Sequence, residues 1–377
     1  MPGWGRIRRL VAVAVGAAMT GVLAAAVPAA AQPGPGSFLA GLSSNVTVAS
    51  TVPGNGDVNP YGVAVVPITR GALVAGEVLV SNFNNAPTSA APGGLQGRGT
   101  TVVEVSSRGQ QRLFAQIPAT LMPGGVGLTT ALVVLRSGWV IVGSLPTTDG
   151  TAATATNGGL IVLDSTGKVR ETITGHGLDG PWDATALDLG PFAEVFVSTV
   201  LTGITHGQPA TTHQGSVVRL LLDLSGDQPR VLDSTVIAND LAVHTDPAQL
   251  IVGPTGVALG PAGDLFVADT VNSRIARVPG AVFRSTAVDA GAAAATVSAD
   301  PRLNGPLGLT RAPNGNLLTV NGGDNNVVEL TTSGTVVATR NLDPGDPPDA
   351  LFGLATTAYP PAVYYINDNT NTLNILH

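Results

Sequence analysis

The 377-residue sequence contains no cysteine. That excludes a disulfide framework, a thiolate zinc site, covalently attached haem, a catalytic thiol and a lipobox acyl anchor. Charge is scarce as well. Only 11% of residues are charged, against roughly a quarter in an ordinary globular chain, so Ser, Thr, Asn, Gly and Ala must cover most of the surface. A charge-rich disordered chain is thereby excluded. One lysine, Lys168, occurs in the whole sequence, and no basic stripe or Arg cluster exists beyond the first ten residues. An electrostatic grip on nucleic acid or anionic lipid has no source, and neither partner is expected. What is abundant is apolar residues, at 44%, together with 48 glycines and 28 prolines.

The amino terminus reads as a targeting segment. Arg6, Arg8 and Arg9 precede an apolar run from Leu10 to Val27, which ends in Ala29-Ala30-Ala31-Gln32. A basic start, an apolar middle and a small-residue end are what an export machine and its peptidase recognise, so residues 1–31 are expected to be a signal peptide cleaved after Ala31. Residues 32–41 follow as a short linker, and the mature chain is expected to be secreted. Removing residues 1–31 takes away three arginines and no acid, which leaves 15 basic against 25 acidic side chains. Past residue 32 no apolar run approaches the length needed to cross a bilayer.

Amphipathic helical periodicity is nearly absent after this segment. Instead, short Val/Leu/Ile runs alternate with Gly, Pro or Asn turns, an all-β pattern. One stretch, from Gly253 to Thr270 and on to Val278, reads as a unit of three strands, and a second unit runs from Gly305 to Leu330. Four weaker copies begin at Pro60, Leu128, Pro181 and Phe352. Six copies at roughly 50 to 60 residues each suit a β-propeller with some long loops. A lone blade cannot bury both faces of its sheet, so the blades must stack in a ring. The chain ends at His377, directly after the third strand of the sixth copy, and the spare strand-like stretch Asn45–Val52 is expected to complete that blade. The expectation is a six-bladed β-propeller over residues 42–377, its last blade closed by an N-terminal strand, acting as a monomer.

Pro254-x-Gly256-Val257-Ala258, Gly263-Asp264-Leu265-Phe266-Val267-Ala268-Asp269 and Asn272-x-Arg274-Ile275 match the NHL repeat nearly position by position. The chain therefore resembles NHL-repeat propellers, and in shape the wider SMP-30/gluconolactonase-like group. The resemblance implies a six-bladed ring; it does not imply one function, because that group mixes enzymes with binding platforms. It also fails at one point. The lactonase-like enzymes typically start their first blade with a metal-binding glutamate, where this chain reads Val58-Asn59-Pro60-Tyr61-Gly62.

In such a ring the first strand of each blade lines the channel and the second returns to the same rim. The second strands end at Asn82, Ser144, Thr199, Asp269, Asn321 and Asn367, all polar. Asn59, Asn82, Thr199, Asn321 and Asn367 are therefore expected ligand-binding residues. Asp183, which replaces the Gly at position 256 of the best copy, and Asp269 are expected metal ligands, with hard oxygen donors that suit Ca²⁺. Turn chemistry alone also accounts for such Asp and Asn residues, and Asp269 is equally placed to tie its own loop to Arg274. No nucleophile elbow, phosphate loop, dinucleotide fingerprint or HExxH motif exists. His206 and His213 share a polar insert, expected to be a solvent-exposed loop. Two functions remain open: a module binding a small molecule, carbohydrate or protein through the channel rim, and a Ca²⁺-dependent hydrolase or lyase.

Overall fold

A computed structural model describes residues 36–204, 211–345 and 347–377. The expected signal peptide 1–31, linker residues 32–35 and His206 lie outside the described residues. From Ser37 onward the chain forms six sheets set around one axis, antiparallel except that Ala238–Asn239 pairs in parallel with Val288–Asp289.

The first blade comprises Val58–Val65, Val78–Asn84, Thr101–Val105 and Gln111–Gln116. The second comprises Leu128–Val134, Val140–Ser144, Gly159–Leu163 and Val169–Ile173. Blade 3 starts with Pro181–Asp188, Phe192–Thr199 and Thr212–Asp223. Its fourth strand, Arg230–Asp246, runs past the sheet and turns back as Leu250–Val252. Blade 4 is built from Pro254–Leu259, Leu265–Asp269, Arg274–Val278 and Thr296–Ser298. Blade 5 holds Pro306–Arg311, Leu317–Asn321, Asn326–Leu330 and Val336–Asn341. Leu351–Ala358, Pro361–Asn367 and Thr372–Leu376 make up three strands of blade 6.

The fourth strand of blade 6 is Asn45–Ser50, which pairs antiparallel with Thr372–Leu376 from Asn45↔Leu376 to Ser50↔Thr372. The ring is therefore closed by the N-terminal strand, as the spare stretch predicted. Just before it, Ser37–Leu39 is docked on blade 5. The Ser37 hydroxyl and the Phe38 and Leu39 amides donate to the Glu329 carboxylate at 2.7, 2.8 and 3.0 Å.

The second strands explain why the sequence runs are apolar on both sides. Val78–Asn84, Leu265–Asp269 and Leu317–Asn321 are buried along their whole length, because each blade face packs on a neighbouring blade. On the inside the repeat glycine sets the spacing. A Cβ at Gly256 would lie 2.3 Å from Leu309 N, and one at Gly308 would lie 2.1 Å from Phe352 O. Only glycine lets adjacent inner strands come so close.

Two elements differ from the reading of the sequence. The strand Thr212–Asp223 begins inside the insert expected to be a loop, so His213 sits in an edge of sheet, exposed. The Ala-rich stretch 287–299 contains a single 3₁₀ turn, Ala293–Ala295, and then supplies the outer strand of blade 4. Arg274 holds that stretch in place, donating to the carbonyls of Ala290, Gly291 and Ala292 at 2.8–3.0 Å.

Candidate functional site

Register places all six second-strand ends on one rim, here the upper one. Asn82, Ser144, Thr199, Asp269, Asn321 and Asn367 pair with Pro60, Leu128, Pro181, Pro254, Pro306 and Leu351 at the starts of the inner strands. Their side chains are buried and engaged with their own loops. Asn82 Nδ2 donates to Thr51 O at 3.1 Å and Thr101 Oγ1 at 3.2 Å. Thr199 Oγ1 hydrogen-bonds Ser216 Oγ at 2.7 Å, and Asn321 Nδ2 donates to Arg302 O at 2.8 Å. Asn367 bridges Asp343 through Nδ2 and accepts from Thr370 N at 3.1 Å through Oδ1. Asp269 faces Arg274 Nε at 2.7 Å and both of its oxygens accept from Asn272 Nδ2. Among the described residues, Asn82 and Asn321 each keep an Oδ1 without a partner.

The channel itself is blocked near its upper end. Tyr61, Trp182 and Phe352 each follow the start of an inner strand at the same repeat position, and their rings meet on the axis. Tyr61 stacks on Phe352 with centroids 4.2 Å apart and on Phe83 at 4.5 Å, and Trp182 completes the group at 6.2 Å from Tyr61. The blade 3 hairpin reaches over this plug. Ile251 O accepts from Trp182 Nε1 at 3.2 Å, and Gln249 Nε2 donates to Asp349 Oδ1 at 2.6 Å.

Above the plug, beside the seam of blades 6 and 1, lies a cavity of about 350 Å³ lined by Asn59, Asn84, Asp368, Asn369 and Asn371 among others. Asn59 has φ 58°, a left-handed conformation that Asn tolerates better than most residues. Its amide donates to Asn371 Oδ1 at 2.6 Å and its Nδ2 to Asn84 Oδ1 at 3.2 Å. Its Oδ1 is left over, as are Asp368 Oδ1, Gln249 Oε1 and the Tyr61 hydroxyl, all buried without a well-formed hydrogen bond among the described residues. Burial, with the nearby Asp349 charge adding to it, pushes the Asp368 carboxyl up to about 7. Burial also raises Tyr61 well above the usual phenol value, and Asp368, Asp246 and Asp349 reinforce this; a polar contribution from Asn59 opposes it. The group is rich in acceptors and in negative charge.

Below the plug the channel widens to about 400 Å³, walled by the lower halves of the inner strands. Asp183 is on that wall, at the position taken by glycine in blades 1, 4, 5 and 6. Its Oδ2 accepts from Val257 N across the blade seam at 3.1 Å, and its Oδ1 from Ala184 N at 2.8 Å. Burial drives its carboxyl up to about 8, against the pull of those two amides.

Of the residues the sequence singled out, Asn59 alone among the expected ligand-binding set lines the upper cavity. Asp183 and Asp269 have separate sets of partners, and among the described residues no group of three or more His, Asp or Glu is placed to hold a metal ion. Sequence reasoning did not single out Tyr61, Gln249 or Asp349. The signal for the plug was present: in a chain with 4% aromatics, three large rings occupy one repeat position.

An NHL-repeat family model matches residues 252–277. The fold is shared with a gluconolactonase from Xanthomonas campestris at 13% identity and a TM-score of 0.54, over 88% of each chain. It is shared also with the calcium-binding protein regucalcin from Agrobacterium tumefaciens, at 14% identity and a TM-score of 0.52, over 87% of this chain and 92% of that one. A luciferin-regenerating enzyme aligns at 10% identity and a TM-score of 0.52, over 88% and 95% of the two chains. At such identities the likeness is one of fold. No curated protein sequence matches the chain.

Proposed function

We propose that the chain is an exported NHL-like propeller that binds a small hydroxyl-rich molecule, such as a sugar, in the cavity of its upper face. The observation that carries this reading is the pair of leftover acceptors, Asn59 Oδ1 and Asp368 Oδ1, on the wall of the cavity beside the seam of blades 6 and 1. Leaving such atoms unpaired costs about 1–3 kcal/mol each. A ligand that brings several hydroxyl donors repays that cost; an acceptor-rich ligand does not. Export is supported by the basic start, apolar run and Ala29-Ala30-Ala31 end of the sequence. The cavity lies where both chain ends meet, since Asn371, one of its walls, accepts the Thr51 amide through its carbonyl at 2.9 Å. Ring closure and the cavity are thus built from the same contacts.

The test is calorimetry and thermal shift on mature protein against a panel of mono- and oligosaccharides and polyols. The expected hit loses at least tenfold in affinity in Asn59→Ala and in Asp368→Asn, and keeps its affinity in Asp183→Asn. A panel that produces no binding, or a hit indifferent to both upper-face substitutions, contradicts the reading.

A second reading, Ca²⁺-dependent hydrolysis or lysis, draws on the same oxygens. Both leftover acceptors are hard donors of the kind Ca²⁺ prefers, although only that of Asp368 belongs to a carboxylate. Ca²⁺ titration separates the two readings. Tight uptake with a melting shift reversed by EDTA favours the hydrolase or lyase; unchanged melting favours sugar binding alone.

A further inference from the structure

The upper cavity has one ionisable group on its wall. Among the described residues that line it, Asp368 is the single charged side chain; the others are Asn, Pro, Val and Gly, with no Lys, Arg or His. Several of the wall's amides are committed to the wall itself. Asn59 Nδ2 donates to Asn84 Oδ1 at 3.2 Å, Asn84 Nδ2 to Gly93 O at 2.9 Å, and Asn371 Oδ1 accepts the Asn59 amide at 2.6 Å. Asn59 Oδ1 and Asp368 Oδ1 stay unpaired. Tyr61, 2% exposed, brings a third unpaired oxygen beside the same two residues, both of which act on its hydroxyl.

Charge around this group is of one sign. Asp349 is near enough to disfavour ionisation of Asp368, and Asp246 acts in the same way on Asp349. His244 Nε2 stands 3.9 Å from Asp246, but among the described residues no cation forms an ion pair with Asp368 or Asp349. A ligand that fills the cavity strips water from Asp368. Neutral hydroxyls can satisfy its free oxygen but leave a desolvated carboxylate without a counter-charge, which is unfavourable. A positive group on the ligand removes that penalty and forms a charge-assisted hydrogen bond, about twice as strong as a neutral one. A bare Ca²⁺ ion is a poorer match. It takes about six to eight oxygen ligands, whereas the wall offers one carboxylate and, among the described residues, no group of three or more His, Asp or Glu is placed to hold a metal.

We infer that the sugar taken by the upper cavity is an amino sugar, whose ammonium group donates to Asp368 Oδ1 while a hydroxyl donates to Asn59 Oδ1. This rests on the sugar-binding reading above and narrows its substrate class: N-acetylation removes the charge that Asp368 needs, and a uronate brings a charge that it repels.

The probes are D-glucosamine, D-galactosamine and D-mannosamine, each with its parent sugar and its N-acetyl derivative, titrated calorimetrically into mature protein at pH 7. D-glucuronate is the anionic control. The expected result is that at least one amine binds at least tenfold more tightly than both its parent and its N-acetyl form, with glucuronate weakest of all. In Asp368→Asn the advantage of the amine over its parent disappears; in Asn59→Ala the two weaken together and their ratio holds. An amine that binds no tighter than its parent, an N-acetyl form that binds as tightly as the amine, or an advantage that survives in Asp368→Asn overturns the inference and leaves the sugar reading standing. Absence of binding by every sugar tested overturns both. The wild-type comparison of amine, parent and N-acetyl form stands even where Asp368→Asn folds poorly.

Discussion

The two ends of the channel are made by the same six inner strands, yet they are finished differently. The upper end is ringed by polar side chains mostly engaged with their own loops, and its cavity offers the leftover acceptors Asn59 Oδ1 and Asp368 Oδ1, the latter on a raised carboxyl. The lower end carries Asp183 in its wall, with Asp188 and Arg311 farther down, among Val, Leu, Ala and Thr residues of the inner strands. What separates them is a single layer. The position after each inner-strand start carries Tyr61, Trp182 and Phe352 in three blades, and the following position carries glycine or Asp183. Large rings at one level and small residues at the next produce a plug above a hollow. A propeller can therefore hold a cavity in its channel apart from one at the seam of two blades, and the residue types at two adjacent repeat positions set where the channel closes.

The harshest way to break the contrast is to open the ring. Deleting residues 42–52 removes the outer strand of blade 6 and the Thr51 contacts to Asn371 and Asn82, so cooperative unfolding should vanish. A thermal melt that stays sharp and unshifted refutes the closure. Phe352→Ala is milder and more pointed. It should cost about 3–5 kcal/mol in urea unfolding and loosen the plug, since Phe352 is almost fully buried against Tyr61.

Asp183→Asn sharpens the lower end. The wild-type carboxyl, raised from 3.8 to about 8 in the folded protein, keeps a proton that the unfolded chain releases near pH 4. Its effect on stability is absent below pH 4, grows as pH rises toward 8 by up to about 1.4 kcal/mol per unit, and is unfavourable to folding. The Asn variant gives up one of the two backbone hydrogen bonds and should start about 1 kcal/mol lower at pH 5. By pH 9 the gap should close or reverse, as seen in urea midpoints across that range. A constant gap contradicts the assignment. The smallest effect is expected of Tyr61→Phe, which removes a buried hydroxyl that lacks a well-formed hydrogen bond and should be neutral or stabilising by about 1 kcal/mol.

Much of this architecture was legible before any coordinates. Short apolar runs with Gly-Asn-Asp turns specify strands, six copies specify the ring, and the strand left over at Asn45 had one unpaired edge to fill. The rim register followed from repeat alignment, because Asp269, Asn321 and Asn367 each tie to the residue three positions on, Asn272, Asp324 and Thr370. The site was less legible. Asn82, Thr199, Asn321 and Asn367 look like rim ligands in one dimension, but a polar group at a strand end is also the nearest partner for its own loop, and local hydrogen bonds form at lower entropic cost. The hairpin after Arg230 was hidden because its strand continues a blade without a break in pattern. Gln249 and Asp349, a hundred positions apart, meet only because that hairpin crosses the axis.

The plug carries the whole two-cavity account, and Trp182 reports on it directly. Trp4 falls in the expected signal peptide, so Trp139→Phe in the mature protein leaves Trp182 as the single indole. Acrylamide quenching should then find Trp182 blue-shifted and strongly shielded, with quenching rising several-fold when Phe352→Ala is added. Quenching of Trp182 as ready as that of a free indole, with the ring otherwise folded, would contradict an axis closed by aromatic side chains.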